Sequence, residues 1–86
     1  MGNIERVLKA IANKRRLAIL RHLDKNTQAT VGELAGLNKI SMPATSRHLS
    51  ILFSVDLVES EQKSLEVYYK LSLSGRRFIH KLWHIF

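Results

Sequence analysis

Two closely spaced helix-start signals constrain the middle of this 86-residue chain. Thr30 and Glu33 form a T-x-x-E capping box, in which each side chain satisfies a backbone N–H at the beginning of a helix. Ser41 can cap a second helix, and Pro43 fits its first turn because the missing N–H has no intrahelical partner there. Residues 36–40 break the helical pattern between them. The stretch 30–53 therefore predicts a helix-turn-helix.

The second of these helices, residues 41–54, is amphipathic. At about 100° per residue, one face is predicted to turn inward and the other outward. The inward face collects Met42, Thr45, Leu49, Leu52 and Phe53. The outward face collects Pro43, Arg47, Ser50 and Ser54. A cation among small residues favours close approach to another surface, and the start of this helix is free to enter a DNA major groove. The preceding helix packs inward through Leu34, Ala35 and Leu37.

The flanking segments predict further elements. Asn3 caps a first helix with apolar residues at helical spacing, and Asn13 caps a second helix that ends near Asp24. Residues 25–29 form a polar loop. From residue 57 the apolar period changes to two, which predicts a hairpin of strands 57–61 and 66–71 joined through residues 62–64. Ser72 or Ser74 then caps a last helix over about 73–86. A hairpin after such a helix is a wing.

Length and composition predict a single domain over residues 1–86, mostly α with a small β element. The 45 % hydrophobic content is that of a globular protein. The chain has no cysteine, which excludes disulfides, thiolate metal sites and cysteine nucleophiles. No apolar run approaches the ~20 residues of a membrane span, and the start of the chain lacks the apolar core of a signal peptide. A cytoplasmic protein with no membrane partner is expected.

Positive charge is concentrated in the first half of the chain. Residues 1–48 hold nine Lys/Arg against three Asp/Glu, net +6, while residues 49–86 hold five against four, net +1, which together give +7. The run Lys14, Arg15 and Arg16 begins a helix, where positive charge opposes the dipole, so phosphate contact or an acidic partner would explain it. A solvated face remains an equal alternative. With the helix-turn-helix, the charge favours nucleic-acid binding.

The order of elements and several motifs resemble the arsenic-repressor (ArsR) type winged-helix family of transcriptional regulators. Leu8–Asn13 followed by Arg16–Leu20 is similar to its LKALANPxRLxIL, and Val31–Ala35 is similar to its VxELA. The remaining matches are residues 41–52 with SQSTVSRHLxxL, and residues 57–58 and 67–71 with GLV…VYYxL. The resemblance covers about residues 5–78.

This resemblance implies a dimeric, repressor-like regulator of double-stranded DNA with no cofactor. The fourth helix would read the major groove through Met42, Pro43, Ser46 and Arg47, with Ser41 at the helix start near a phosphate. Arg47 could bridge O6 and N7 of guanine. The wing would touch the backbone or minor groove, where Lys63 is the candidate among acidic neighbours. The first and last helices would form the dimer.

Three departures from the family pattern bear on specificity. Met42, Pro43 and Ala44 stand where relatives often have polar residues, and they cannot hydrogen-bond a base, so discrimination would be modest or depend on DNA shape. Lys14 replaces a proline. Lys39 replaces a glycine of the turn, so Asn38 or Lys39 must take the left-handed conformation, for which asparagine is better suited.

The last helix carries an apolar stripe that is too wide for one small core. It predicts a partner helix, with folding back onto the first helix of the same chain as the alternative. The predicted dimer interface is Ile4, Val7, Ile11, Phe78, Ile79, Leu82, Trp83 and Phe86.

The sequence also leaves open a metal-responsive regulator and a protein-interaction module, and it does not favour an enzyme. His80 and His84, at i, i+4, could hold a metal only with further ligands, so no metal site is expected, and a metal-responsive regulator is an alternative. The acidic wing and the apolar start of the fourth helix fit a protein-interaction module. No catalytic motif indicates an enzyme. The operator and any effector are left open.

Overall fold

The computed structural model describes residues 3–86 as five α-helices and a three-stranded antiparallel sheet. In chain order they are α1 (Ile4–Ile11), α2 (Lys14–Lys25), β1 (Ala29–Thr30), α3 (Val31–Asn38), α4 (Met42–Ser54), β2 (Val58–Lys63), β3 (Glu66–Leu71) and α5 (Leu73–Ile85). The predicted winged helix-turn-helix is confirmed, with α3 and α4 as its two helices and β2–β3 as the wing. None of the helices within residues 3–86 has the length and apolar character to cross a membrane.

Side-chain caps begin the helices where the sequence predicts them. The side chains of Asn3, Asn13, Thr30, Ser41 and Ser72 each accept a hydrogen bond from a backbone N–H in the first turn of the helix that follows. The capping box is reciprocal: Thr30 Oγ1 accepts from the Glu33 N–H at 3.1 Å, and Glu33 Oε1 accepts from the Thr30 N–H at 2.9 Å. These local contacts fix where α3 and α4 begin.

The turn between α3 and α4 uses the less favoured of the two residues that the sequence offers for it. Lys39, not Asn38, takes the left-handed conformation, with φ 55° and ψ 44°. Asn38 remains the last residue of α3, and its Nδ2 donates to the Arg15 carbonyl at 3.1 Å. The N–H of Ile40 then donates to the Ala35 carbonyl at 3.1 Å, which closes the end of the helix. The contact with α2 keeps the asparagine in the helix and moves the turn to lysine.

The sheet contains a strand that the sequence did not predict. Ala29, at the end of the segment interpreted as a polar loop, and Thr30, predicted as a helix cap, pair with Tyr69 and Tyr68, so β3 is the central strand. The wing is also longer than predicted. β2 extends to Lys63, which pairs with Glu66, and only residues 64 and 65 connect the strands.

The core lies between α2, α3, α4 and the base of the wing, with α5 packed across it. Its fully buried large side chains include Ile19, Leu20, Leu23, Leu34, Leu49, Leu52, Leu57 and Ile79. Three residues predicted to face inward are exposed instead: Leu37 by 43 %, Met42 by 54 % and Phe53 by 52 %. Met42 stands in the first turn of α4, before the part of the helix that the core covers, whereas Phe53 lies between buried Leu52 and Val55 and is therefore outside the buried face rather than beyond the core. The buried face of α4 is formed by Thr45, Leu49 and Leu52.

Candidate nucleic-acid interface

The start of α4 is exposed to solvent. Ser41 Oγ accepts from the Ala44 N–H at 3.2 Å, and the buried Thr45 hydroxyl donates to the Ser41 carbonyl at 3.0 Å. Together with buried Leu49 and Leu52, these contacts anchor the helix from one side. The predicted base-facing residues Met42, Pro43, Ser46 and Arg47 are all exposed, as is Ser41. The anchored helix thus presents its N-terminal half to solvent.

The start of α2 brings cations to the same region. Lys14 and Arg15 are exposed, and neither they nor Arg47 takes part in an ion pair within residues 3–86. Burial lowers the pKa of His48 on α4, and the positive charges of Arg16, Arg15 and Arg47 lower it further. The guanidinium groups of two helices therefore act on one imidazole. Unpaired cations gathered at one place suit phosphate contact.

Arg16 differs from its neighbour Arg15, although both were predicted to contact phosphate. Its Nε donates to the Ala10 carbonyl and its Nη2 to the Lys9 carbonyl at 3.5 Å, both at the C-terminal end of α1. Its Nη1 lies 3.1 Å from His48 Nδ1 on α4. The half-buried guanidinium is hydrogen-bonded to these protein groups, so Arg16 is less available to phosphate than Arg15, and its phosphate contact stays a prediction.

Lys63, the cation of the wing predicted to contact DNA, is bound by neighbouring groups of its own chain. Lys63 Nζ donates to Gln28 Oε1 at 2.9 Å, lies 4.0 Å from Glu61 Oε1 and stands 5.7 Å from the centre of the Tyr68 ring. The tip of the wing is Leu65, whose side chain is 94 % exposed. Sequence reasoning missed this residue, although an apolar side chain in an otherwise polar turn was a visible signal. Lys63 is thus less available to phosphate than predicted.

The wing carries three glutamates against two lysines. Glu66 ends the turn, and its charge is the main reason that the pKa of Tyr68 is raised, with a smaller contribution from Glu33 on α3. Glu59 is paired with Lys70 at 3.6 Å between Nζ and Oε1. Of the three wing glutamates, Glu66 is the one beside Leu65 at the end of the hairpin.

An apolar groove of about 680 Å³ separates α1 and α2 from the end of α5. Its lining residues are Leu8, Ile11, Ala12, Leu17, Arg21, Leu82, Trp83 and Phe86. The guanidinium of Arg21 lies 4.9 Å from the centre of the Trp83 ring. The sequence prediction included Ile11, Leu82, Trp83 and Phe86 but missed Leu8, Leu17 and Arg21.

The predicted dimer residues fall into two groups. Ile4 and Phe86 are exposed, by 62 % and 93 %, while Phe78, Leu82 and Trp83 are half-buried against the core. Val7, Ile11 and Ile79 are buried by their own chain, so their side chains are not exposed to a second subunit. The last helix therefore packs on its own chain through Ile79 and leaves its far end uncovered. The last helix packs mainly on α2 and β3 of its own chain rather than on α1, and the partner helix stays a prediction.

The two histidines of α5 have different surroundings. His80 Nε2 lies 2.8 Å from Asp24 Oδ1 on α2, and Arg76 Nη1 is 3.3 Å from the same oxygen. His84 is exposed one turn further on. Within residues 3–86, no three histidine or carboxylate side chains come together as a metal site would require. Asp24 is therefore the partner that the structure gives to His80.

Comparison with known proteins places this geometry in a family. A family model described as a helix-turn-helix domain matches residues 11–61. The transcriptional activator HlyU of Vibrio cholerae is 38 % identical over 78 residues, which are 91 % of this chain and 71 % of that protein. The arsenical resistance operon repressor of Bacillus subtilis is 31 % identical over 68 residues, which are 79 % of this chain and 65 % of that protein.

Solved structures agree over nearly the whole chain. Reduced HlyU from V. cholerae superposes with a TM-score of 0.82 at 36 % identity, and the match covers 96 % of this chain and 87 % of the HlyU chain. A homodimeric winged helix-turn-helix DNA-binding domain from Mycobacterium bovis, described as a possible ArsR-family regulator, gives a TM-score of 0.87 at 29 % identity, covering 95 % and 76 %. The resemblance seen in the sequence is confirmed. The chain belongs to the ArsR-type winged helix-turn-helix family of DNA-binding transcriptional regulators.

Proposed function

We propose that the protein is a homodimeric repressor that reads a specific double-stranded DNA site through the start of α4. The observation that carries this proposal is the exposed, ion-unpaired Arg47 beside the cationic start of α2. A guanidinium can make a bidentate contact with guanine O6 and N7, and backbone-directed cations beside it set the register. Repression requires only that a promoter-overlapping site be occupied, which a DNA-binding domain achieves by itself.

Each part of the surface has its own role in this proposal. Arg47 and Ser46 contact base edges, and Met42 meets a thymine methyl group, because its side chain carries no hydrogen-bond donor. Ser41 and the free N–H groups of the first turn of α4 face a phosphate. Lys14 and Arg15 contact the backbone without regard to sequence. Lys63, held by Gln28, adds little to DNA affinity.

The dimer is proposed to form over the groove between α1 and α5. Leu8 is 49 % exposed and Phe86 93 % exposed, and both line this groove. The M. bovis neighbour is described as homodimeric, which supports the same assembly here. A twofold pair would set two α4 helices ~34–36 Å apart, one helical turn of DNA, and would recognise an inverted repeat. An effector is not assigned.

The test of DNA reading is a selection from random duplexes at two salt concentrations, followed by affinity titration. The chain should select an inverted repeat. Arg47→Ala should weaken binding to that site and relax the preferred base by about 1–3 kcal/mol. Arg77→Ala is the matched control, because this exposed arginine lies on α5. Unchanged affinity and unchanged base preference in Arg47→Ala would refute the assignment of α4.

The test of the dimer is analytical ultracentrifugation of Leu8→Glu, because a carboxylate placed in the apolar groove opposes association. The control is Leu73→Glu at the first residue of α5, which is 68 % exposed and is not among the groove residues. We expect monomers only for Leu8→Glu, together with loss of the preference for paired half-sites. Monomers in the unchanged chain at micromolar concentration would reject the dimer.

A second candidate function rests on the wing. Its tip carries Leu65, which is 94 % exposed, beside the carboxylate of Glu66, which repels phosphate, so this leucine suits an apolar contact with a partner protein. A salt titration distinguishes the two functions, since DNA affinity falls steeply with added salt and an apolar protein contact does not.

A further inference from the structure

One guanidinium joins three helices of this fold. Arg16 belongs to α2, donates to the carbonyls of Ala10 and Lys9 at the end of α1, and lies 3.1 Å from His48 Nδ1 on α4. Carbonyls at a helix C-terminus carry partial negative charge, so a cation is well placed there. The fork of arginine donors allows all three contacts at once. Arg16 is therefore oriented by α1, with one edge turned toward α4.

His48 lies at a position on α4 where a contact of its side chain can fix the orientation of the helix. It follows Arg47, which faces solvent, and precedes Leu49, which is fully buried. The imidazole therefore lies at the boundary between the reading face and the core face. A contact at this point limits rotation of α4 about its own axis, and a small rotation would move Arg47 relative to the base edges.

The contact depends on the protonation state of the imidazole. An arginine can only donate, so His48 must present an unprotonated Nδ1 and carry its hydrogen on Nε2. A second proton would place an N–H against a guanidinium and remove the acceptor. The hydrogen bond therefore exists only with neutral His48.

The charges around His48 favour that neutral form. From α2 it faces Arg16 and Arg15, and from its own helix Arg47, and together with burial these lower its pKa. On α1, the ammonium group of Lys9 is paired with Glu5 at 3.4 Å. The groups that act on this imidazole are thus cationic, and the neutral form predominates at neutral pH.

We infer that the Arg16–His48 hydrogen bond positions α4 for DNA reading and opens when His48 is protonated, which makes site recognition weaker in acid. This inference rests on the proposed function, since it concerns the orientation of the same helix. Arg16 and His48 act through Arg47 and are positioning residues. Acidification ordinarily strengthens binding to DNA by adding positive charge, so the expected direction is opposite to the general electrostatic effect.

The first test uses the free protein and does not depend on DNA. Nitrogen-15 NMR should show His48 as the Nε2–H tautomer with a titration midpoint below 6.5, the ordinary histidine value. Arg16→Gln removes the nearest cation and should raise that midpoint. An Nδ1–H tautomer, or a midpoint that does not move in Arg16→Gln, would show that the contact does not exist.

The second test measures the ratio of affinities for the selected site and for an unrelated duplex, from pH 8 to pH 5 at constant ionic strength. At pH 8, His48→Leu should reduce the ratio about tenfold, the loss expected from one charge-assisted hydrogen bond. His48→Asn places Oδ1 where Nδ1 stands and should retain the ratio. The ratio of the unchanged chain should fall toward pH 5, while that of His48→Asn should stay level. Exposed His84→Asn is the control and should follow the unchanged chain.

The outcomes distinguish failure of the positioning role from failure of the proposed function. If His48→Leu keeps the ratio, or if His48→Asn loses as much as His48→Leu, the positioning role is refuted even when DNA recognition is intact. If the unchanged chain selects no site, the proposed function fails and the positioning role fails with it, while NMR still reports whether the contact forms. Thermal melting of each variant identifies losses of affinity that come from unfolding. If His48→Leu is unfolded, the ratio of affinities in His48→Asn, compared with that of the unchanged chain from pH 8 to pH 5, tests the positioning role.

Discussion

Arg15 and Arg16 are adjacent in the sequence and chemically identical, yet the structure predicts opposite consequences for their substitution by glutamine. Arg16 donates to two carbonyls of α1 and to His48, whereas none of the hydrogen bonds and ion pairs within residues 3–86 uses the Arg15 side chain. Arg16 is therefore expected to maintain the fold and Arg15 to bind DNA. The pair forms its own matched control, because the same change is made one residue apart.

The magnitudes follow from these contacts. Hydrogen bonds of a charged donor contribute about 1.5–3 kcal/mol, and a domain of this size loses about 4–8 °C in Tm per kcal/mol. Arg16→Gln should therefore lower Tm by about 10 °C. Arg15→Gln should leave Tm nearly unchanged, since an exposed substitution usually changes stability by less than about 0.5 kcal/mol. One lost phosphate contact lowers the slope of log K against log salt by about 0.9, or about 1.8 for a dimer.

The assay combines thermal melting by circular dichroism with fluorescence anisotropy of a labelled duplex over a salt series, at equal protein concentration. The expected result is a cross-over, in which Arg16→Gln changes Tm and Arg15→Gln changes the salt slope. If Arg15→Gln lowers Tm as much as Arg16→Gln, or if Arg16→Gln reduces the slope without any change in Tm, the assignment of roles is wrong.

Two further predictions concern the frame that carries the site. A Cβ at Gly75 would lie 2.1 Å from the Leu57 carbonyl oxygen, so Gly75→Ala should cost at least about 1–3 kcal/mol, measured by urea unfolding, while Gly36→Ala meets nothing within 4 Å and should stabilise α3 by about 0.5–1 kcal/mol. Equal changes in the free energy of unfolding for Gly75→Ala and Gly36→Ala would contradict the close contact at Gly75. Thr30→Ala should cost about 1 kcal/mol through loss of the cap. The hydrogen bonds from Thr30 lower the pKa of Glu33, so their contribution is complete above its ordinary value of 4.5 and is lost as the pH falls through the lowered value. Glu33→Gln should remove that acid dependence from melting curves, and a retained dependence would assign it elsewhere.

The parts of the fold that the sequence predicted are those determined within one helical turn. A capping box needs only Thr30 and Glu33, and the Ser41 cap needs only the Ala44 N–H. These contacts join residues three positions apart, so the residue types reveal them directly. The beginnings of α3 and α4, and hence the exposed start of α4, were predictable for that reason.

The parts that could not be predicted depend on residues distant in the sequence. Ala29 becomes a strand only because Tyr69 supplies its partner, and nothing within residues 25–29 marks it. Lys39 takes the left-handed turn because Asn38 donates to the Arg15 carbonyl on α2. The difference between Arg15 and Arg16 likewise arises from the position of His48 in the folded chain. Local residue types leave Asn38 and Lys39 both open for the turn, and they do not indicate the strand at Ala29 or the difference between the two arginines.

The candidate site shows the same division, and this determines what kind of specificity the protein can have. The frame of α4 is well specified, but Met42 and Pro43 at its start offer no hydrogen-bond donor to a base, which leaves Arg47 and Ser46 as the polar residues of the reading face. A single bidentate guanidinium discriminates at one base pair. Recognition of a longer site must then draw on sequence-dependent DNA shape and on the spacing of two half-sites. The orientation of α4 therefore matters more for specificity than the number of its base contacts, because a rotation of the helix would move Arg47 away from the base pair that it contacts.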